Sequence, residues 1–264
     1  MHKVYERAPN VGALLTSPGI ITLTGGGGKT SLMYKLVSLL MKQGNNAVAA
    51  TTTKIFMDDH HQKQIVFVKS ADQCIDAVRK ACKLAVPTVL CLKADDVDSR
   101  KAIGIPPEWL DTVNNEAPDA ILVVEGDGSG GRSLKGHLKH EPVIPSNSKL
   151  IIPVIGLDVI GQRIDEQTVH RPQRFCELAG AKLGDMITER LVAAVLCHPQ
   201  GYLQHSPREA HILPLLNKAE TFARWRSAIE ICNQIAGFKD VPFQMVLAGS
   251  VKQVKISVRI LQHH

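Results

Sequence analysis

Eight consecutive residues, Thr24-Gly25-Gly26-Gly27-Gly28-Lys29-Thr30-Ser31, follow four glycines with an ammonium and a pair of hydroxyls. Glycine lets a backbone pass close to an anion and aim its N–H groups at it, because no Cβ intervenes. A lysine and a threonine directly afterwards supply a cation for the β- and γ-phosphates and a hydroxyl for Mg²⁺. The context agrees. Gly19-Ile20-Ile21-Thr22-Leu23 reads as a buried strand, and Leu32, Met33, Leu36, Val37 and Leu40 recur at helical spacing. Strand, loop and helix start together place Gly25 to Gly28 around phosphate, with Lys29, Thr30 and Ser31 at the positive end of a helix. One departure stands out: the usual first glycine would fall at position 23, where this chain has leucine.

A second apolar run, Ala120-Ile121-Leu122-Val123-Val124, delivers Glu125 and Asp127 to its carboxyl end. Acids there hold Mg²⁺ or polarise an attacking water. Because side chains alternate along a strand, both can face one side, and spacing leaves open which one meets the metal. Thr51-Thr52-Thr53 ends a further strand, and Thr53 is a candidate for phosphate or the metal shell. The basic segment from Gly130 to Pro145 offers Arg132, Lys135 and His140 to stabilise a transferring phosphoryl group or hold an anionic second substrate. Lys135 joins Lys29, Glu125 and Asp127 as a candidate catalytic residue. Farther on, Asn217-Lys218-Ala219-Glu220 resembles the guanine-reading N-K-x-D of GTPases, with glutamate in place of aspartate. ATP and GTP both stay open as the bound nucleotide. No His/Cys group has zinc-ligand spacing.

The elements that must position these groups alternate between strand and helix over 264 residues, and 44% hydrophobic content supports a sizeable core. Pro153 inside Leu150–Gly156 predicts an edge strand or a strand end. Residues 93–100 read as a loop, and Val254, Ile256, Val258 and Ile260 alternate as in a half-exposed edge strand. The net charge of +6 is spread along the chain and aromatics are 4%, so nucleic acid is not the expected partner. Six scattered cysteines without C-x-x-C read as reduced thiols. Residues 1–7 carry no apolar signal core, and no stretch is long enough to span a bilayer. The expectation is a cytoplasmic protein that binds no membrane.

With those residues in hand, the chain resembles the YqeC family, described by an accessory role to selenium-dependent hydroxylases. The resemblance is carried by Thr24–Ser31, Thr51-Thr52-Thr53-Lys54, Glu125-Gly126-Asp127-Gly128-Ser129, Leu134-Lys135 and His140-Glu141-Pro142-Val143-Ile144-Pro145. Gly156-Leu157-Asp158, His170-Arg171-Pro172, His198-Pro199-Gln200-Gly201 and Asn217-Lys218 extend it. It implies nucleotide binding in the maturation of selenium- and molybdenum-dependent hydroxylases, with an apo-hydroxylase or its cofactor as partner. It implies no particular reaction.

Residues 1–264 are therefore expected to form one domain, a three-layer α/β/α P-loop NTPase fold with a mainly parallel sheet and one continuous core. The leading functional expectation is a Mg²⁺-dependent NTPase or kinase-like phosphotransferase. The alternative is a nucleotide-switched chaperone with little intrinsic turnover, whose switch is the segment Gly128–Gly136. The sequence leaves the oligomeric state open.

Overall fold

The computed structural model describes residues 10–57, 64–253 and 255–260. Residues 1–7 and Val254, used above, lie outside them. Helix α1 (Val11–Thr16) leads into β1 (Gly19–Gly25), and α2 (Lys29–Lys42) returns the chain to β2 (Asn46–Thr51). Then come β3 (Ile55–Phe56), β4 (Gln64–Phe67), α3 (Ala71–Leu84), β5 (Thr88–Cys91), β6 (Lys93–Ala94), β7 (Lys101–Ile103), α4 (Pro107–Glu116) and β8 (Ala120–Glu125). Strands β9 (Leu134–Lys135), β10 (Ser148–Gly156) and β11 (Val169–His170) precede helices α5 (Pro172–Ala179) and α6 (Glu189–Cys197). The described residues then run through β12 (His211–Ile212), β13 (Leu215–Asn217), α7 (Phe222–Ala236), β14 (Met245–Ser250) and β15 (Lys255–Ile260).

The main sheet runs β15-β14-β13-β10-β1-β8-β2-β5-β4, with β12 also on β10. Every pairing is parallel except β14 with β15, so the alternating tail does form an antiparallel edge. Strands β1, β8 and β10 sit at the centre and bury nearly every residue, as parallel strands covered on both faces must.

Helices cover both faces, giving the three-layer α/β/α arrangement. Ile121 and Val123 of β8 face α2, while Ala120, Leu122 and Val124 face α3 and α4. In β13 and β14, Leu215 and Met245 join the α2 side, whereas Leu216 and Val246 pack with α5, α6 and α7. The core is thus three clusters divided by the sheet rather than one continuous body, because a sheet covered on two faces needs a packed layer on each.

Two further expectations change. Pro153 lies in a central strand, paired with Thr24 of β1. On the other side the ladder breaks between Ile151, paired with Ile212, and Val154, paired with Leu215. Proline's missing donor falls beside that gap, which removes the usual objection to it in a sheet interior. Residues 93–100 are not simply a loop: β6 pairs with β7, and β7 with β3, in a small antiparallel sheet. Helix α3 starts where its capping residues place it. Ser70 Oγ accepts from Gln73 N–H at 3.3 Å, and Gln73 Oε1 accepts from Lys69 N–H at 2.9 Å. No disulfide joins the cysteines, and no helix among the described residues is long and apolar enough to cross a membrane.

Candidate functional site

The glycine loop joins β1 to α2 at the carboxyl ends of the central strands, where open α/β sheets place their ligands. Its glycines are required twice over. Gly27 has φ +79°, and a Cβ there would stand 2.3 Å from Gly156 N. Gly25 has φ +92°, and its Cβ would meet the Tyr202 ring at 2.4 Å. Both positions need the left-handed region and leave no room for a side chain.

The cradle is narrower than the sequence implies. Gly25 N–H donates to both oxygens of Asp127, at 2.9 and 3.0 Å. Gly26 N–H donates to Val154 O at 2.9 Å, and Gly27 N–H to Arg132 O at 3.0 Å. Three of the four glycine amides are therefore engaged internally, leaving Gly28 and the first turn of α2, whose N–H groups have no intrahelical acceptors.

Lys29 is 3% exposed. Its Nζ donates to Gly25 O and lies 3.3 Å from Asp127 Oδ1 and 3.9 Å from Glu125 Oε1. The cation expected to meet phosphate is thus folded back onto the two acids. Those acids have different surroundings. Glu125 Oε2 accepts from Thr30 Oγ1 at 2.7 Å, and burial pushes its carboxyl above the usual range, with Lys29 and Thr30 opposing. Burial acts on Asp127 the same way, but Lys29, Lys135 and His137 outweigh it and hold that carboxyl well below the usual range.

Lys135 and His137 reach Asp127 from the basic segment. Lys135 Nζ lies 3.1 Å from Asp127 Oδ2 and 3.1 Å from Glu141 Oε1, and donates to Gly128 O at 2.6 Å. His137 Nε2 is 2.7 Å from Asp127 Oδ2, and its ring meets Tyr202 edge-on with centroids 4.8 Å apart. Burial lowers the basicity of this imidazole more than Asp127 raises it. Arg171 closes the row with both terminal nitrogens on Glu141. Positive and negative groups alternate from Lys29 through Asp127, Lys135 and Glu141 to Arg171.

The segment whose basic residues were expected to meet a phosphoryl group or a second substrate, or to act as a switch, is part of the loop's bed. Lys135 and His137 are fully buried, β9 pairs with β11, and Ser133 O accepts from Gly156 N–H at 3.0 Å. Of the basic trio, Lys135 is sequestered by acids, Arg132 is partly exposed and His140 is exposed. Thr51 and Thr52 spend their hydroxyls on carbonyl oxygens, Thr53 O at 2.9 Å and Val143 O at 2.7 Å; among the described residues Thr53 Oγ1 has no such partner.

At the far end of the loop, Asn217 Nδ2 donates to Gly27 O at 2.8 Å, and Asn217 Oδ1 accepts from Val251 N–H at 2.9 Å. Glu220 Oε1 accepts from Ser250 Oγ at 2.7 Å, and Oε2 from Arg224 at 3.2 Å. Burial would raise that carboxyl, but these donors keep it low and ionised. Lys218, at φ +64°, spans from Ser133 Oγ to Asp158 Oδ2, 2.8 Å to each. Ser31, Gly27 and Gly28 share a cavity of about 830 Å³ with Asn217, Lys218 and Glu220.

Sequence reasoning missed the parts played by His137, Glu141 and Tyr202. Lys135 and His137 alternate as strand neighbours do, which was a usable signal; Glu141 stood only inside the motif His140–Pro145, with no role attached, and nothing local marked Tyr202.

Residues 21–173, more than half of the chain, match the family profile described as YqeC protein. "Uncharacterized protein YqeC" of Escherichia coli (strain K12) is 27% identical over 236 residues, 89% of each chain. A 91-residue stretch, 32% of this chain, is 30% identical to a novobiocin-resistant DNA gyrase polypeptide of Streptomyces niveus and covers 13% of it. Among solved structures, the signal recognition particle receptor FtsY from Elizabethkingia anophelis aligns with 91% of this chain and 60% of its own, at 14% identity and a TM-score of 0.38.

Proposed function

The chain belongs to the YqeC family, and from that premise we propose that it is a Mg²⁺-dependent nucleoside triphosphatase that takes a guanine nucleotide. The observation that carries this reading is the single cavity of about 830 Å³ reaching from the phosphate loop to Glu220. A phosphate seat lies at one end, and a fixed, ionised acceptor lies at the other. Guanine presents its N1–H and exocyclic amine to such a carboxylate; adenine offers no matching pair of donors. Ser250 and Arg224 hold Glu220 in place, which favours a role for this longer acid where N-K-x-D has aspartate.

Thr30 and Glu125 fit Mg²⁺ on their chemistry: both are hard oxygen donors, they touch one another, and the carboxylate is buried with only partial compensation. A bound Mg²⁺ would neutralise charge building on the phosphates. Lys29, released from its acids, supplies the ammonium, and the first-turn amides of α2 supply donors. Asp127, with both oxygens already engaged, holds the loop in shape rather than orienting a nucleophile. We place this activity in the maturation of selenium- or molybdenum-dependent hydroxylases, the context implied by the resemblance.

A nucleotide-switched chaperone is the second reading, and one observation favours it. With Lys29 folded back and three glycine amides engaged, the loop has to open before turnover, and a partner could supply that opening. Phosphate release by the purified protein separates the two readings, because a switch turns over slowly until its partner is present. Equilibrium binding of GTP and ATP, with and without Mg²⁺, tests the nucleotide itself. GTP is expected to bind about tenfold or more tighter than ATP, with Glu220→Ala erasing the preference and Glu220→Asp keeping it. Equal affinities would remove guanine; no binding of either would remove the nucleotide.

A further inference from the structure

On the far side of the Gly130–Arg132 turn lies a second cavity, of about 630 Å³, walled by Arg132, Arg171, Arg174 and His170 and by the apolar Leu138 and Val169. Its charges are unevenly matched. Arg171 is paired with Glu141, and Arg174 with Glu177. Arg132 has only carbonyl partners, Glu166 O at 2.8 Å and Gly130 O at 2.5 Å, and no carboxylate among the described residues pairs with it. Two carbonyls thus fix a guanidinium whose charge is left unneutralised. His170 adds no competing negative charge: burial, with Arg171 and Lys135 nearby, lowers it to about 4, so it stays neutral near pH 7. Exposed Glu166 and Glu177 also border the cavity.

Arg132 belongs to both sites. Its carbonyl accepts from Gly27 N–H of the phosphate loop at 3.0 Å, while its side chain lines this second cavity. A ligand seated on the guanidinium therefore lies one residue away from the loop's backbone.

We propose that this cavity is the binding site for a second, anionic small molecule, one carrying a carboxylate or phosphate that the Arg132 guanidinium engages. A planar guanidinium with its orientation already set binds such groups through paired N–H donors. The volume falls in the range of small-molecule sites, and the part-exposed Leu138 offers contact to an apolar body. The site stands on its own geometry and does not require the nucleotide reading.

Titration calorimetry with malonate as the probe tests it, in the presence and absence of saturating GDP and Mg²⁺. Malonate is expected to bind equally well in both conditions, and Arg132→Gln to weaken it tenfold or more while Arg132→Lys retains part of the affinity. If GDP displaces malonate, the phosphate loop was the only anion site and the proposal fails. If Arg132→Gln binds as wild type does, it fails as well. Failure of GDP itself to bind appears in its own titration and counts against the nucleotide reading alone. Should Arg132→Gln misfold, phenylglyoxal labelling of the wild-type protein decides: malonate should protect the Arg132 peptide, and unprotected labelling would overturn the assignment.

Discussion

The side-chain amide of Asn217 donates to Gly27 O at 2.8 Å, across 190 residues of sequence, while its oxygen accepts from Val251 N–H at 2.9 Å. One buried side chain therefore ties the glycine loop to the turn after β14, beside the carboxylate of Glu220. Asn217→Ala strands Gly27 O and Val251 N–H together. A loss of about 1–3 kcal/mol in denaturant unfolding is expected, with nucleotide affinity falling in parallel. An unchanged midpoint would mean that water replaces the amide without cost.

Lys29→Met should destabilise the protein as well as abolish phosphate binding. The ammonium is the shared counter-ion of two buried acids, and removing one partner of such a group typically costs about 3–5 kcal/mol. Adding Glu125→Gln should recover part of that loss, because one of the stranded charges disappears. If the double variant is no more stable than Lys29→Met in thermal unfolding, charge burial is not the cause.

Glu125 and Asp127 should separate cleanly by substitution. Glu125→Gln removes a carboxylate whose ionised form burial disfavours, so stability should hold or rise while Mg²⁺-dependent nucleotide binding weakens. Asp127→Asn strips the acceptor from Lys135 and His137 and weakens the hold on Gly25. It should lower the melting temperature, with a smaller effect on metal dependence. The reverse pattern would exchange the two roles.

His170 should contribute to acid sensitivity. Its folded-state value, about 4, lies below the ordinary 6.5, so the unfolded chain binds the extra proton over that interval. Stability from this group is complete above about pH 6.5 and is lost as pH falls toward 4. His170→Gln should flatten the melting temperature's pH dependence between those limits relative to wild type. Parallel profiles would show that the imidazole is not held neutral.

The glycine loop, the helix that follows it and the acid-bearing strand were legible from residue order alone, because those features are contiguous. Four glycines before Lys29 and Thr30 demand one kind of turn, and an all-apolar run such as Ala120–Val124 fits a strand covered on both faces. The antiparallel tail was legible for the same reason, through its alternation.

Which acid meets Thr30 came from the folded chain, because i and i+2 positions look alike until the strand's end is fixed in space. The internal partners of Gly25 to Gly27 come from Asp127, Val154 and Arg132, more than a hundred residues away in sequence. Pro153 misled because the gap in the neighbouring ladder belongs to β12 and β13, not to its own strand. The clamp of Lys135 and His137 on Asp127 exists only once burial removes water and makes pairing obligatory for those groups, a condition that no local pattern of residues can state.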